Sequence, residues 1–377
     1  MTPQNGFASP LFISGSIAFL LIGVIGTSYG IAVPALARAF GIAEGTAGLV
    51  VTANSLGATL TVALMTLGVI NLTTRAALVL VAAGGALIAA GAGWALTLAG
   101  AVVCGLGYGV IAVRVNRDFM LGFGARGPGM VALVNGISGI GSVIAPLIWL
   151  AAGSRPGIMY AVIAGLALLT LPLFRTAPVA GAEEARPTGT PRFTAGRVGF
   201  ISLNGLSCIL ESSISGFAAA ALLAMDTAPA LTAQLVSAYF AAFLIARLSL
   251  YFVARLIAPE WLFLIGTIGT AASMALALTL WTAGGYVAAG AFVGIAFPSF
   301  YVWGNRVLHG DARMMSAILM AGLMGWVVGP VLFGALLDRL GMEQLFAGIA
   351  IGAAALAVVI LAVILRTGRT PAPIPAE

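Results

Sequence analysis

The chain has 377 residues, of which 61% are hydrophobic and 7% are charged, and its formal net charge is +6. A soluble globular chain carries about 25% charged residues, so these charges are too few to cover a water-soluble protein of this size. They are enough for the two polar rims of a protein whose middle faces lipid. The arginines are spread along the loops and form no basic patch, so we expect a lipid bilayer and no nucleic acid as partner.

Apolar runs separated by turn residues predict twelve membrane helices, because a helix crosses the bilayer with about 20 mostly apolar residues. The fold class expected is therefore an all-α membrane protein. In chain order the predicted spans are residues 11–34, 47–70, 75–93, 96–119, 129–152, 157–175, 198–224, 231–255, 260–281, 284–305, 314–337 and 343–366.

A polar stretch at residues 176–197 divides the spans six and six. It contains three prolines and five charged residues, a composition typical of a flexible linker. We therefore predict a first six-helix bundle at residues 1–175, a cytoplasmic linker at 176–197 and a second six-helix bundle at 198–377.

The distribution of arginine predicts the orientation, since cytoplasmic loops carry an excess of positive charge. With a cytoplasmic N-terminus, only Arg38, Arg155 and Arg339 lie at the outer ends. Twelve arginines then lie at or beyond cytoplasmic ends: Arg75, Arg117, Arg126, Arg175, Arg186, Arg192, Arg197, Arg255, Arg306, Arg313, Arg366 and Arg369. We expect both termini to be cytoplasmic and the protein to lie in a bacterial inner membrane.

Two sequence segments recur in equivalent spans of the two halves. A glycine-rich segment beginning at Gly105 ends in Asn-Arg, and the segment beginning at Gly294 ends in Asn-Arg after the same interval. The next spans share a segment that runs from glycine to proline, at residues 141–146 and 325–330. Two matches in the same order indicate a duplication, and we expect the two bundles to be pseudo-symmetric.

On these features the sequence resembles the major facilitator superfamily. The segment from Gly334 through Asp338 and Arg339 to Gly341 resembles the superfamily's GxxxD[RK]xG loop pattern. The copy after the second span, residues 68–75, lacks the acidic residue. The resemblance implies a secondary transporter that works by alternating access, with no enzymatic activity and no cofactor.

A narrower resemblance is to the fucose:proton symporter family. Arg247, followed by Arg255 and Pro259, resembles the pattern of that family's eighth span. The resemblance implies a sugar-like substrate and proton symport. The chain departs from the pattern in having no acidic residue in the middle of its first or fourth span.

Two ionisable residues deep in the predicted spans are the candidates for ion coupling. Charged groups inside a membrane are costly unless they are paired or hydrated, so each is a functional candidate. Glu211 is predicted to carry protons, with Arg247 as its partner. The alternatives are that Glu211 is a permanently paired structural acid, and that Arg247 binds an anion or only packs.

Further polar and aromatic side chains complete the predicted substrate site. Amides suit the hydroxyl groups of a sugar, and aromatic faces suit its C–H surface. The predicted substrate-binding residues are Tyr29, Asn54, Tyr108, Arg114, Asn135, Asn204, Arg247, Tyr301, Trp303 and Trp326.

A cytoplasmic gate is predicted from charged residues at the ends of the fourth and tenth spans. Arg117 and Asp118 lie in the first half, and Arg306 and Asp311 lie at the corresponding place in the second.

The sequence leaves the transported solute open. The leading expectation is proton-coupled movement of a small polar, sugar-like solute by a monomer. The alternatives are an exporter or exchanger of an organic anion or drug, and a membrane sensor or assembly factor that transports nothing. No metal site is expected, because the two cysteines have no CxxC spacing and the chain has one histidine.

Overall fold

The computed structural model of the protein describes residues 9–174, 194–309 and 311–367. Most of the predicted linker, residues 176–193, lies outside these ranges, as do Arg175, Arg186, Arg192 and Arg369. Within the described residues, all regular structure is helical.

Within the described residues, twelve helices follow the twelve predicted spans. They are α1 Pro10–Phe40, α2 Glu44–Thr66, α3 Thr74–Ala89, α4 Trp94–Gly122, α5 Gly127–Ala151, α6 Pro156–Thr170, α7 Ala195–Ala224, α8 Pro229–Val253, α9 Pro259–Thr279, α10 Thr282–Val307, α11 Ala312–Leu340 and α12 Leu345–Thr367. Within the described residues, 11 helices are long and apolar enough to cross a membrane, and α3 is apolar but has 16 residues.

Local chemistry explains where the helices begin and end. Thr194 caps α7, because its side chain accepts a hydrogen bond from the backbone N–H of Arg197. This cap starts the helix before residue 198, where the sequence predicted it. The third span was predicted to reach residue 93, but α3 stops at Ala89 because Gly91 and Gly93 adopt φ values of 61° and 140°.

The helices pack in a pattern that repeats between the two halves. In the first half, the main pairs are α2 with α4, α3 with α4, α1 with α5 and α3 with α6. In the second half, the main pairs are α8 with α10, α9 with α10, α7 with α11 and α9 with α12. Each pair corresponds to the one six helices earlier. The two halves meet where α1 packs on α7, α2 on α11 and α5 on α8.

The repeated glycines hold equivalent places in this packing. A Cβ atom on Gly105 of α4 would collide with the carbonyl oxygen of Asn54 in α2. A Cβ atom on Gly294 of α10 would collide with the carbonyl oxygen of Phe243 in α8. Asn54 and Phe243 precede their glycines by the same number of residues. The glycine repeat found in the sequence is therefore a repeated close approach of two backbones.

Candidate functional site

A cavity of about 290 Å³ lies between the two halves at mid-height. Helices α1, α2, α4 and α5 line it from the first half, and α7, α8 and α11 from the second. It brings together seven predicted site residues: Tyr29, Asn54, Tyr108, Asn135, Glu211, Arg247 and Trp326. Five hydroxyl side chains also line it: Thr27, Ser55, Ser138, Ser142 and Ser215.

The first half presents two amide groups to this cavity. The Nδ2 group of Asn135 donates hydrogen bonds to Oδ1 of Asn116 at 2.9 Å and to the carbonyl oxygen of Val131 at 2.8 Å. This use of the NH₂ group leaves the Asn135 oxygen as an acceptor. The buried Oδ1 of Asn54 has no hydrogen-bond partner within the described residues. The first half therefore offers the Asn135 oxygen as an acceptor for the hydroxyl or N–H donors of a solute, and it holds a second, unpaired acceptor on Asn54 that is buried in this conformation.

The second half brings two half-buried charged side chains, Glu211 and Arg247, to the cavity. Nε of Arg247 donates to the carbonyl oxygen of Gly294 at 3.3 Å, and its guanidinium lies 4.5 Å from the centre of the Phe243 ring. Glu211 interacts with Arg247 electrostatically, but within the described residues the two form no direct ion pair. Arg247 is thus held by its own half, and the Glu211 carboxylate remains accessible from the cavity.

Four predicted substrate-binding residues are not part of the cavity lining. Asn204 is fully buried and its Nδ2 donates to the carbonyl oxygen of Ile318 at 2.9 Å, so it joins α7 to α11. Trp303 is buried in an aromatic cluster, with its ring centre 4.8 Å from that of Phe200. These two side chains point into the packed core of the second half, which explains their separation from the cavity.

Arg114 and Tyr301 are the other two predicted residues outside the lining. Arg114 is buried in α4, and its Nε atom has no hydrogen-bond partner within the described residues. The ring centre of Tyr301 lies 6.0 Å from that of Phe297 on the same helix. Both residues lie nearer than the cavity to the end of the molecule that contains the start of α1.

The predicted gating residues also lie at that end of the molecule. Arg117, Arg306 and Asp311 are exposed. The carboxylate of the partly buried Asp118 interacts electrostatically with Arg114 and Arg117. Asp311 caps its own helix, since its Oδ1 accepts from the backbone N–H of Arg313 at 2.9 Å. The gating role of these residues stays a prediction.

At the opposite end, a carboxylate of the second half caps a helix of the first. Oδ1 of Asp338 accepts a hydrogen bond of 2.7 Å from the backbone N–H of Gly45, in the first turn of α2. Its Oδ2 accepts one of 3.3 Å from the hydroxyl of Thr46. A carboxylate at a helix N-terminus is stabilised by the unpaired N–H groups and by the helix dipole. Asp338 belongs to the GxxxD[RK]xG segment, which was the available sequence signal for this contact between the halves.

Two further hydrogen bonds join the halves on the same side of the cavity. The Thr52 hydroxyl donates to the carbonyl oxygen of Val327 at 3.2 Å, and the Ser237 hydroxyl donates to that of Val143 at 2.9 Å. Near the same level, Gly30 of α1 directly contacts the backbone of α7. The interface between the halves is therefore closed at the end where α1 leads into α2.

Comparisons with known proteins agree on the fold and leave the family open. No family model and no curated protein matches the sequence. A solved variant of the nucleoside transporter NupG is 13% identical, with a TM-score of 0.76 over 94% of this chain and 99% of its own. A variant of the peptide transporter POT in complex with sulfate is 16% identical, with a TM-score of 0.77 over 97% of each chain.

The third comparison is with FucP, described as a major facilitator superfamily transporter in the outward conformation. It is 16% identical, with a TM-score of 0.61 over 94% of this chain and 98% of its own. These likenesses, together with the helix packing, show that the chain has the fold of the major facilitator superfamily transporters.

Proposed function

We propose that the protein is a secondary transporter that carries a small polar, sugar-like solute through the central cavity by alternating access. On this proposal the twelve helices form two membrane-spanning bundles, residues 1–175 and 198–377, joined by a cytoplasmic linker at 176–197. Both termini lie on the cytoplasmic side of a bacterial inner membrane, and the protein works as a monomer.

The position of the cavity carries the proposal. It lies between two pseudo-symmetric halves that are joined on one side of it by Asp338 and the bonds of Thr52 and Ser237. Alternating access needs such an interface, since a solute is released when one end opens and the other closes. With cytoplasmic termini, the closed end is the outer one, so this conformation faces inward.

The size and chemistry of the cavity favour a small polar solute. Pockets for drug-sized ligands measure about 300–1,000 Å³, and this cavity is at the lower limit. Asn54 and Asn135 supply amide acceptors, and Trp326 supplies an aromatic face from the opposite half. The similar transporters named for nucleosides, peptides and fucose also carry polar solutes.

Glu211 is the residue that we propose couples transport to protons. It lines the cavity, and no direct ion pair within the described residues fixes its charge. A carboxyl group in this position can take up a proton from one side and release it to the other as the halves rock.

The second candidate function is export or exchange of an organic anion. It is favoured by Arg247, whose guanidinium lines the cavity without a carboxylate bound to it within the described residues. A third candidate, a membrane sensor or assembly factor that transports nothing, would bind a ligand and move none.

A binding screen followed by flux measurements tests these functions. Sugars, nucleosides, carboxylates and drugs are screened for a rise in Tm, and the best ligand is then followed into proteoliposomes. Glu211→Gln and Arg247→Ala are compared with matched changes outside the cavity, Glu260→Gln and Arg366→Ala. If the best ligand stabilises all four variants as it does wild type, the proposed site is wrong. Binding without flux under any gradient would contradict transport.

A further inference from the structure

A second, much smaller pocket lies on the far side of Glu211, inside the second half. Its volume is about 20 Å³, which is room for one water-sized particle, because such a particle needs about 10–15 Å³. Glu211 lines both this pocket and the central cavity. The other polar lining residues are Ser207, Thr267 and Thr270.

The polar groups of this pocket come from two helices. Ser207 and Glu211 are four residues apart on α7, so their side chains lie one turn apart on the same face. Thr267 and Thr270 are three residues apart on α9 and share a face in the same way. The rest of the wall is apolar and comes from five residues: Leu210, Val293, Ala296, Ala353 and Leu356.

The pocket presents mainly hydrogen-bond acceptors. The Thr267 hydroxyl donates its proton to the carbonyl oxygen of Phe263 at 2.9 Å, and the Thr270 hydroxyl donates to that of Gly266 at 2.8 Å. Both threonine oxygens can therefore only accept hydrogen bonds from, or coordinate, a species bound in the pocket. Together with the Glu211 carboxylate they give the pocket three acceptor-bearing side chains, and Ser207 adds a hydroxyl, in a wall that is otherwise apolar.

We propose that this pocket binds Na⁺, with the Glu211 carboxylate as its charged ligand and the hydroxyl oxygens of Thr267, Thr270 and Ser207 as neutral ligands. Oxygen donors suit a hard cation. A bound cation also neutralises a carboxylate that no direct ion pair with Arg247 balances within the described residues. The inference deepens the proposed function, since the same carboxylate would then serve Na⁺ as well as protons.

Thermal stability in detergent tests the site without any need for transport. Wild-type protein is heated in NaCl and in KCl of equal ionic strength, and we expect a Tm higher by about 2 °C or more in NaCl, because a ligand that binds only the folded state stabilises it. Thr267→Val and Thr270→Val remove one oxygen each and are expected to lose this difference. Thr279→Val is the matched control, because its hydroxyl makes the same type of bond on α9, to Ala275, outside the pocket.

Two results would overturn the site: equal Tm values for wild type in the two salts, or a sodium effect that persists in both pocket variants. Ser207→Ala replaces either threonine variant that does not fold. The failure of this inference can be distinguished from the failure of the transport proposal. Solute flux without any sodium effect contradicts the sodium site alone, whereas a sodium-specific Tm shift without flux contradicts transport alone.

Discussion

The two halves of the protein share one scaffold and differ in the chemistry that they bring to the cavity. The first half contributes neutral groups, chiefly the amides of Asn54 and Asn135 and the phenol of Tyr108. The second contributes both charges, Glu211 and Arg247. The helix pairs and glycine contacts repeat, so the packing has been kept while the cavity side chains have diverged. The difference suggests a division of labour, in which the first half supplies neutral hydrogen-bonding groups for the solute. The second half supplies the acid that we propose couples its movement to an ion, together with Arg247 and Trp326 as further solute contacts.

The largest expected effect comes from removing the acid. Glu211→Gln is expected to lower uptake driven by a pH gradient by about 100-fold or more, because the variant loses the carboxyl group proposed to carry the proton. Exchange of labelled for unlabelled solute in the same proteoliposomes, which needs no net proton movement, is expected to continue. If exchange stops as completely as uptake, Glu211 is needed for recognition and the division between the halves fails. Glu260→Gln serves as the control acid.

The second effect concerns the guanidinium. Arg247→Lys keeps a positive charge but loses the planar group that stacks on Phe243 and bonds to Gly294. We expect the affinity for the solute to fall by about 10-fold, since a hydrogen bond to a charged group contributes about 1.5–3 kcal/mol. Titration calorimetry on purified protein measures the change. An affinity equal to that of wild type would mean that a positive charge at residue 247 is sufficient for solute binding and that the planar guanidinium is not needed.

The third prediction contrasts two asparagines, one in each half. Asn54→Leu removes an unpaired buried acceptor, so we expect weaker solute binding, by about 5-fold to 10-fold, with the Tm of the ligand-free protein kept. Asn204→Leu breaks the bond to Ile318, so we expect a lower Tm and unchanged affinity in the folded fraction. Thermal melts with and without the solute distinguish the two variants, because they report the Tm of the ligand-free protein and its rise on binding. The reverse pattern would place recognition in the core of the second half.

The smallest effect concerns the closed end of the interface. Asp338→Asn weakens the charged cap on α2 by about 1 kcal/mol, which corresponds to an about 5-fold shift toward opening. Hydrogen exchange of residues 44–52, followed by mass spectrometry, is expected to accelerate by that factor. Asp226→Asn is the control, because Asp226 is an exposed acid near the same end. Equal exchange rates in the two variants would show that Asp338 does not hold this end of the interface closed.

Much of the fold is predictable from local sequence signals. Apolar length gives the twelve helices, and turn glycines and caps such as Thr194 account for the small errors at their ends. Depth in the membrane is also predictable by counting residues, which is how Glu211 and Arg247 were paired. The direction in which a side chain points is harder, because one residue turns the helix face by about 100°. Trp303 has a suitable depth on α10, but it packs against Phe200.

The contacts of Asp338 show a second limit of sequence reasoning. The motif singled out the residue, but its partners Gly45 and Thr46 belong to a helix nearly three hundred residues away in the chain. A backbone N–H group has no sequence signature, so only the three-dimensional packing of α11 on α2 reveals this bond. The small pocket behind Glu211 was missed for a similar reason, because threonines that bond to their own helix are common in membrane spans.

The short helix α3 has a consequence for the lipids around the protein. Its 16 residues extend about 24 Å at 1.5 Å per residue, whereas the hydrocarbon core of a bilayer is about 30 Å thick. On the proposed topology, the membrane thins beside α3 or the helix stands nearly upright, and either adjustment has an energetic cost. The stability of the protein in vesicles is therefore expected to depend on acyl-chain length and to be greater in lipids with shorter chains.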